Sequence, residues 1–256
     1  MAVSVASRAA SVVRPVGEFY AFCLDTMRIA VKPPFQWREF VQQAWLVVRV
    51  SFVPAVLVSI AYCVFVIFYL NVILLELGAA DLSGAAAGLA VVQNLGPIIS
   101  VLVISGAGAT AICADLGART IREEIDAMRV LAIDPIQRLV VPRVVASTLL
   151  AVLLTAVVDV VGLVACFFTA VYLQHSSPGA FVANLTLLTG TTEVVFSVIK
   201  AVVFGVIAGL VACYLGLTVK GGPKGVGAAV NETVVYAFMI LFFANVAISF
   251  VQFQIV

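Results

Sequence analysis

The chain has 256 residues, 64% of them hydrophobic and only 11% charged, with a formal net charge of +1. A soluble domain carries about 25% charged residues, so this composition, with a mean hydropathy of +1.21, excludes an ordinary water-exposed fold. A segment inside lipid must satisfy its own backbone hydrogen bonds, and about 20 helical residues cross the hydrocarbon core.

Residues 1–31 read as a helix lying on the membrane, with Phe19, Phe22, Cys23, Met27 and Ala30 near one face. Lys32-Pro33-Pro34 stops it, because proline disfavours helix in the preceding residue. Trp37, Phe40, Val41, Ala44, Trp45 and Val48 then recur at helical spacing, with Arg38 and Glu39 off that face. Trp and Arg suit the headgroup region. The stretch reads as an elbow-shaped lead-in or as a simple anchor. The first forty residues lack the compact apolar stretch and cleavage site of a signal peptide, so none is expected.

Residues 50–75, 82–114, 201–219 and 233–256 carry no charge, and 144–174 is broken only by Asp159. None alternates with period two, as an outer-membrane strand would. The reading is an all-α integral membrane protein with five transmembrane helices, at about 46–75, 84–115, 139–172, 196–219 and 230–254. Amphipathic interfacial helices in a segment 1–45 precede a membrane domain 46–256. Pro54, one turn into the first span, is expected to kink or break it. The second span is rich in small residues, including Gly84, Gly88, Gly96, Gly106 and Gly108. The fourth carries Gly205, Gly209 and Gly216. Such faces let helices approach closely, within the chain or against a partner. The third span covers about 51 Å of helix from Leu139 to Tyr172, enough to protrude, tilt or bend. Residues 174–192, with Pro178 and Gly179, predict a loop with a short helix.

All fourteen Lys and Arg residues precede or open the first span, or fall between the second and third, between the fourth and fifth, or, for Lys200, early in the fourth. The segments 76–83 and 174–193 hold none. The positive-inside rule then places the N-terminus in the cytoplasm and the C-terminus outside.

The loop between the second and third spans is the richest in signals. Thr120 and Glu123 have capping-box spacing. Ile121, Ile125, Met128 and Ala132 form an apolar stripe. Arg119 with Glu123, and Arg122 with Asp126, are four apart, as helix ion pairs are. Asp134-Pro135 reads as N-cap and N1 of the next helix. A short amphipathic helix over about 118–131 follows, either flat on lipid or seated in a protein socket. Mixed acids and bases on its polar face favour the socket.

Asp159 has fifteen uncharged residues on either side. Such a charge usually faces the bundle interior, where it steers substrate, relays protons or pairs with Lys200. Cys23, Cys63, Cys113, Cys166 and Cys213 are scattered, with no C-x-x-C, and the chain has one His, so no metal site is expected. No Gly-Lys dipeptide occurs, so no Walker A loop is present. Gly221-Gly-Pro-Lys-Gly-Val-Gly227 reads as a tight turn.

Several motifs in order, Asn94-Leu-Gly-Pro97, Ala114-Asp-Leu-Gly117, Glu123-Glu-Ile-Asp-Ala127, Ile133-Asp-Pro135, Val141-Pro-Arg143 and Val158-Asp-Val-Val-Gly162, resemble the MlaE/YrbE family of lipid ABC-transporter permeases over residues 35–255. The resemblance implies a permease subunit without its own ATPase, in the bacterial cytoplasmic (inner) membrane. ATP would be bound by separate cytosolic ABC ATPase subunits. The 118–131 helix would dock them, with Arg119, Arg122, Glu123, Glu124, Ile125, Asp126 and Met128 as coupling residues. It also implies MCE-domain partners outside the membrane, a lipid substrate and no nucleic acid. Gln93-Asn94 stands where many relatives have Arg-Glu, and Gly106-Ala107 where they have Gly-Arg. That pattern is closer to actinobacterial Mce-associated YrbE subunits, and implies a heterodimer and leaves fatty acids or sterols open as cargo. The alternative is a proton-coupled secondary transporter using Asp159; five spans without an evident inverted repeat argue against it.

Overall fold

Every long apolar run becomes helix, and the described residues contain no strand. The computed structural model describes residues 17–30, 32, 34–174 and 176–255. The surface helix expected over 1–31 is present as α1 (17–30); residues 1–16 lie outside the described residues. Five helices are long and apolar enough to cross a membrane. They are α2 (Trp37–Glu76), α3 (Ser83–Ile121), α5 (Ile136–Leu173), α7 (Thr191–Leu217) and α8 (Gly222–Ile255). Two short helices join them, α4 (Glu124–Val130) between α3 and α5, and α6 (Pro178–Asn184) between α5 and α7. One end of the bundle, here the Arg-rich end, carries α1, α4 and the α7–α8 turn.

The lead-in stretch and first span are one continuous helix of 40 residues, α2, which runs unbroken through Pro54. Its buried positions are Gln43, Val47, Ser51, Ala55, Ser59, Cys63, Ile67 and Asn71, each four after the last. A row at this spacing is inclined to the helix axis, and its small members let α5 approach closely. Trp37, Val41 and Trp45 lie on the opposite, exposed face, as an interfacial belt would.

The second span, α3, is the centre of the bundle. It packs against α2, α7 and α8, and 61% of its most apolar stretch is buried, against 11% for α8. It is not uniformly α-helical. Wider π turns cover Leu89–Leu95 and Ile104–Gly108. The first ends where Gly96-Pro97 opens the next α segment, since Pro97 has no N–H for the Gln93 carbonyl four residues earlier. The third span, α5, begins and ends in π turns at Ile136–Val140 and Thr169–Leu173. Asp134 caps it as expected, its Oδ1 accepting from the Ile136 N–H at 2.9 Å.

The glycine faces are mostly used within the chain. A Cβ on Gly205 would meet the Thr148 backbone and one on Gly209 the Val144 backbone, so α7 and α5 touch main chain to main chain. Gly108 faces Val47 and Ser51 of α2. Gly84 and Gly88 lie under the Phe181 and Leu185 carbonyls, which seats α6 on the start of α3. Gly106 is different: nothing lies within 4 Å of its Cβ direction, which points to open space within this chain. The tight turn expected over 221–227 is narrower. Gly221 and Gly222 have φ +85° and +70°, and α8 begins at once.

Candidate functional site: the loop at the Arg-rich end and a polar cavity between helices

The loop at the Arg-rich end departs from the single helix expected over 118–131. The span helix α3 continues to Ile121, and Glu123 then takes a left-handed conformation, φ 60°. This breaks the chain direction, and α4 covers only Glu124–Val130. Ala132, φ 57°, ends the loop in the same way. The Thr120–Glu123 capping box does not form. Thr120 Oγ1 donates instead to the Leu116 carbonyl at 2.9 Å and to the Gly216 carbonyl of α7 at 3.0 Å.

The expected ion pairs are replaced as well. Arg122 meets Glu124 at 3.1 Å and Arg129 meets Asp126 at 2.9 Å, all four well exposed. Both replacements follow from the break at Glu123, which ends the helical register on which four-residue spacing depends. The apolar stripe points inward, with Ile125 buried and Met128 packed against the core. The side chains left facing outward are Val130, 87% exposed, and Leu131, 70% exposed. A tip of two bare aliphatic side chains flanked by paired charges presents a small knob.

Arg119 turns away from the loop and joins a network that the sequence did not reveal. Arg143, wholly buried near the start of α5, bonds Asp115 on α3 and Glu39 on α2. Arg119 reaches the same two carboxylates at 3.5 and 3.4 Å. In the sequence, Glu39 shows only as a polar residue off the apolar face. The spacing of Glu39 and Gln43, one turn apart beside Trp37 and Trp45, was the available signal.

Toward the opposite end, a cavity of about 520 Å³ opens among α3, α7 and α8, lined by Gln93, Asn94, Lys200, Ser249, Gln252 and Phe253. The Lys200 side chain is almost wholly buried, and its Nζ donates to the Gln93 carbonyl at 3.3 Å. Pro97, four residues on, has no N–H to offer this carbonyl. The pairing of Lys200 with Asp159 does not occur: among the described residues Lys200 forms no ion pair, and Asp159 Oδ2 accepts from Ser197 at 3.5 Å. Asp159 Oδ1 is buried without a partner, against Gly96. Sequence reading missed the contribution of α8. Asn245, Ser249 and Gln252 stand at i, i+4 and i+7, a polar stripe in the mostly apolar latter half of the helix. Asn245 Oδ1 and Gln252 Nε2 are both buried without partners.

A five-span helical membrane subunit with a short exposed loop helix, and with a polar cavity walled on one side by its least buried helix, has the form of a permease subunit. The chain matches the family model described as Permease MlaE over residues 40–251. It is 33% identical over 177 residues to a probable ABC transporter permease protein of Synechocystis sp., covering 69% of this chain and 67% of that one. A probable ABC transporter permease protein of Rickettsia conorii aligns over all of this chain and 98% of its own length at 26% identity. The chloroplastic protein Trigalactosyldiacylglycerol 1 of Arabidopsis thaliana is 32% identical over 70% of this chain and 51% of its own length. The chain belongs to the MlaE permease family. It is a multi-pass membrane permease subunit of an ABC transporter.

Proposed function

We propose that this chain forms, with a second YrbE-like permease subunit, the membrane pathway of an ATP-driven Mce-type importer of an amphiphilic lipid bearing an anionic headgroup. The observation that carries the reading is the cavity beside Lys200. A buried ammonium with only a carbonyl to bond is under-compensated, since burying a charge is costly without a counter-charge. A carboxylate or phosphate headgroup supplies that charge, and Gln93, Asn94, Ser249 and Gln252 supply neutral hydrogen bonds around it. The surrounding apolar spans suit an acyl or ring-system tail. Gln93 and Asn94, the pair that departs from the Arg-Glu of many relatives, line this cavity, which supports a cargo different from theirs, with fatty acids and sterol acids the fitting classes.

In this reading the Arg-rich end is cytoplasmic and the Val130-Leu131 tip seats in a cytosolic ABC ATPase. MCE-domain proteins receive or deliver lipid at the opposite end, and the site is the bacterial inner membrane. Native mass spectrometry of the purified complex tests it. Lys200→Met is expected to lower co-purified anionic lipid about tenfold, one charge-assisted contact, and to leave neutral lipid unchanged. Equal retention of anionic lipid would refute the headgroup assignment. Uptake that survives removal of the ATPase and collapses with the proton gradient would favour Asp159-driven transport instead.

A further inference from the structure

Arg143 is the largest fully buried side chain of the described residues. It ties three helices together. Its Nη2 meets Glu39 Oε1 of α2 at 2.9 Å and Asp115 Oδ2 of α3, and its Nη1 donates to the Leu139 carbonyl of its own helix at 2.8 Å. Gln43 Nε2 bridges Asp115 at 3.2 Å and Glu39 at 3.4 Å. With Arg119, two carboxylates face two guanidiniums, so the unit is charge-balanced.

Its position in the chain matters more than its strength. The loop helix α4 hangs from two stalks, the end of α3 and the start of α5. Asp115 and Arg119 sit on the first stalk and Arg143 on the second. Glu39 and Gln43 open α2, the helix that otherwise meets α5 through a row of small side chains, Ser51, Ala55, Ser59 and Cys63. Further along, α2 is tied to α5 alone, Ser59 donating to the Val158 carbonyl at 3.0 Å, whereas the network joins α2 to both stalks at one place. The network is also incompletely bonded. Arg143 Nε and Gln43 Oε1 are buried without partners.

We propose that the Glu39–Gln43–Asp115–Arg119–Arg143 network is the transmission element between the ATPase and the pathway: it makes α2 move with the α4 stalks when the loop is displaced. These are positioning residues, and the inference rests on the ABC permease reading. The test uses the complete complex with its ATPase and partner permease, in a Cys23→Ala background, with spin labels at Trp45→Cys on α2 and Val198→Cys on α7. Trapping the nucleotide-bound state with ATP and vanadate is expected to shift the label distance by roughly 1–5 Å, from a small interface helix shift up to a one-turn ratchet. The variant Glu39→Gln/Asp115→Asn/Arg143→Met removes both carboxylates and the buried guanidinium together, leaving only the charge of Arg119, whose side chain is 25% exposed and reached by water. It is expected to assemble and hydrolyse ATP but to lose the shift. Absence of the shift in the parent complex, or an equal shift in the variant, overturns the proposal. If the triple variant does not assemble, Gln43→Leu is read in the same way, and an undiminished shift there overturns it. Failure of the unmodified chain to co-purify with any ATPase refutes the permease reading itself, and is distinguishable from both.

Discussion

At the residue scale, this chain uses its few polar and small side chains to decide what its many apolar ones cannot. In lipid there is no hydrophobic drive between helices, so close backbone approach and buried hydrogen bonds specify the packing. Gly205 and Gly106 separate the two uses of glycine. A side chain on Gly205 meets the Thr148 main chain, the Ser147 carbonyl at 2.8 Å and Ala151 Cβ at 2.9 Å, none of which yields easily. Gly205→Leu is therefore expected to destabilise the chain by at least the ~1–3 kcal/mol of ordinary overpacking, seen as a lower melting temperature in detergent. Gly106→Leu points into open space and is expected to stay within about 0.5 kcal/mol. If Gly106→Leu leaves melting unchanged but stops assembly with the second permease subunit, that glycine faces the partner. The sequence showed both as members of small-residue faces and had no means to tell them apart, because the distinction lies in what the neighbouring helix places opposite.

At the scale of elements, helix existence was legible and helix interruption was not. Charge-free length fixed all five spans, the Asp134-Pro135 start was readable from capping chemistry, and Pro178-Gly179 within 174–192 marked a loop with a short helix. The break at Glu123 was not, because Ile121, Ile125 and Met128 keep helical spacing across it. What ended the register was α3 continuing to Ile121, with Thr120 bonded back to Gly216 on α7. The same rotation turns Ile125 inward and leaves Val130 and Leu131 outside. The role of the loop is consequently best probed at those two residues. Val130→Asp/Leu131→Asp touches nothing packed and is expected to leave melting unaltered. It should weaken ATPase co-purification about 30-fold, the loss of one central contact of about 2 kcal/mol. Ile125→Asp, by contrast, introduces a charge at a buried position and is expected to unfold the loop. Retained ATPase binding by the Val130/Leu131 variant would move the docking surface to the exposed Arg122, Glu124, Asp126 and Arg129 charges.

For the whole molecule, the asymmetry of burial and the asymmetry of charge point along different axes. Burial falls from α3 across to α8, whose outer face carries Phe242, Phe243 and Phe250. Lipid alone accounts for such exposure, but the cavity opens beside this helix and its polar stripe, so a second subunit there would complete the wall. Charge instead runs along the membrane normal. Arg119, Arg122, Arg129, Arg138, Arg143, Lys220 and Lys224 all lie at one end, with none between 76 and 83. That polarity predicts orientation, and orientation constrains everything else proposed. In the Cys23→Ala background, a cysteine at exposed Leu77 is expected to react with a membrane-impermeant maleimide in intact cells. A cysteine at exposed Ala127 should react only after lysis, the four remaining cysteines being buried. The opposite pattern would put the Val130-Leu131 knob outside the cell, where no ATPase could reach it, and the Lys200 cavity toward the cytoplasm. Coupling loop and cavity stand at different depths of one bundle, so a single labelling result orients both. On the proposed function, ATP-driven motion enters at the loop and lipid is exchanged at the far end, which requires the orientation with α4 inside.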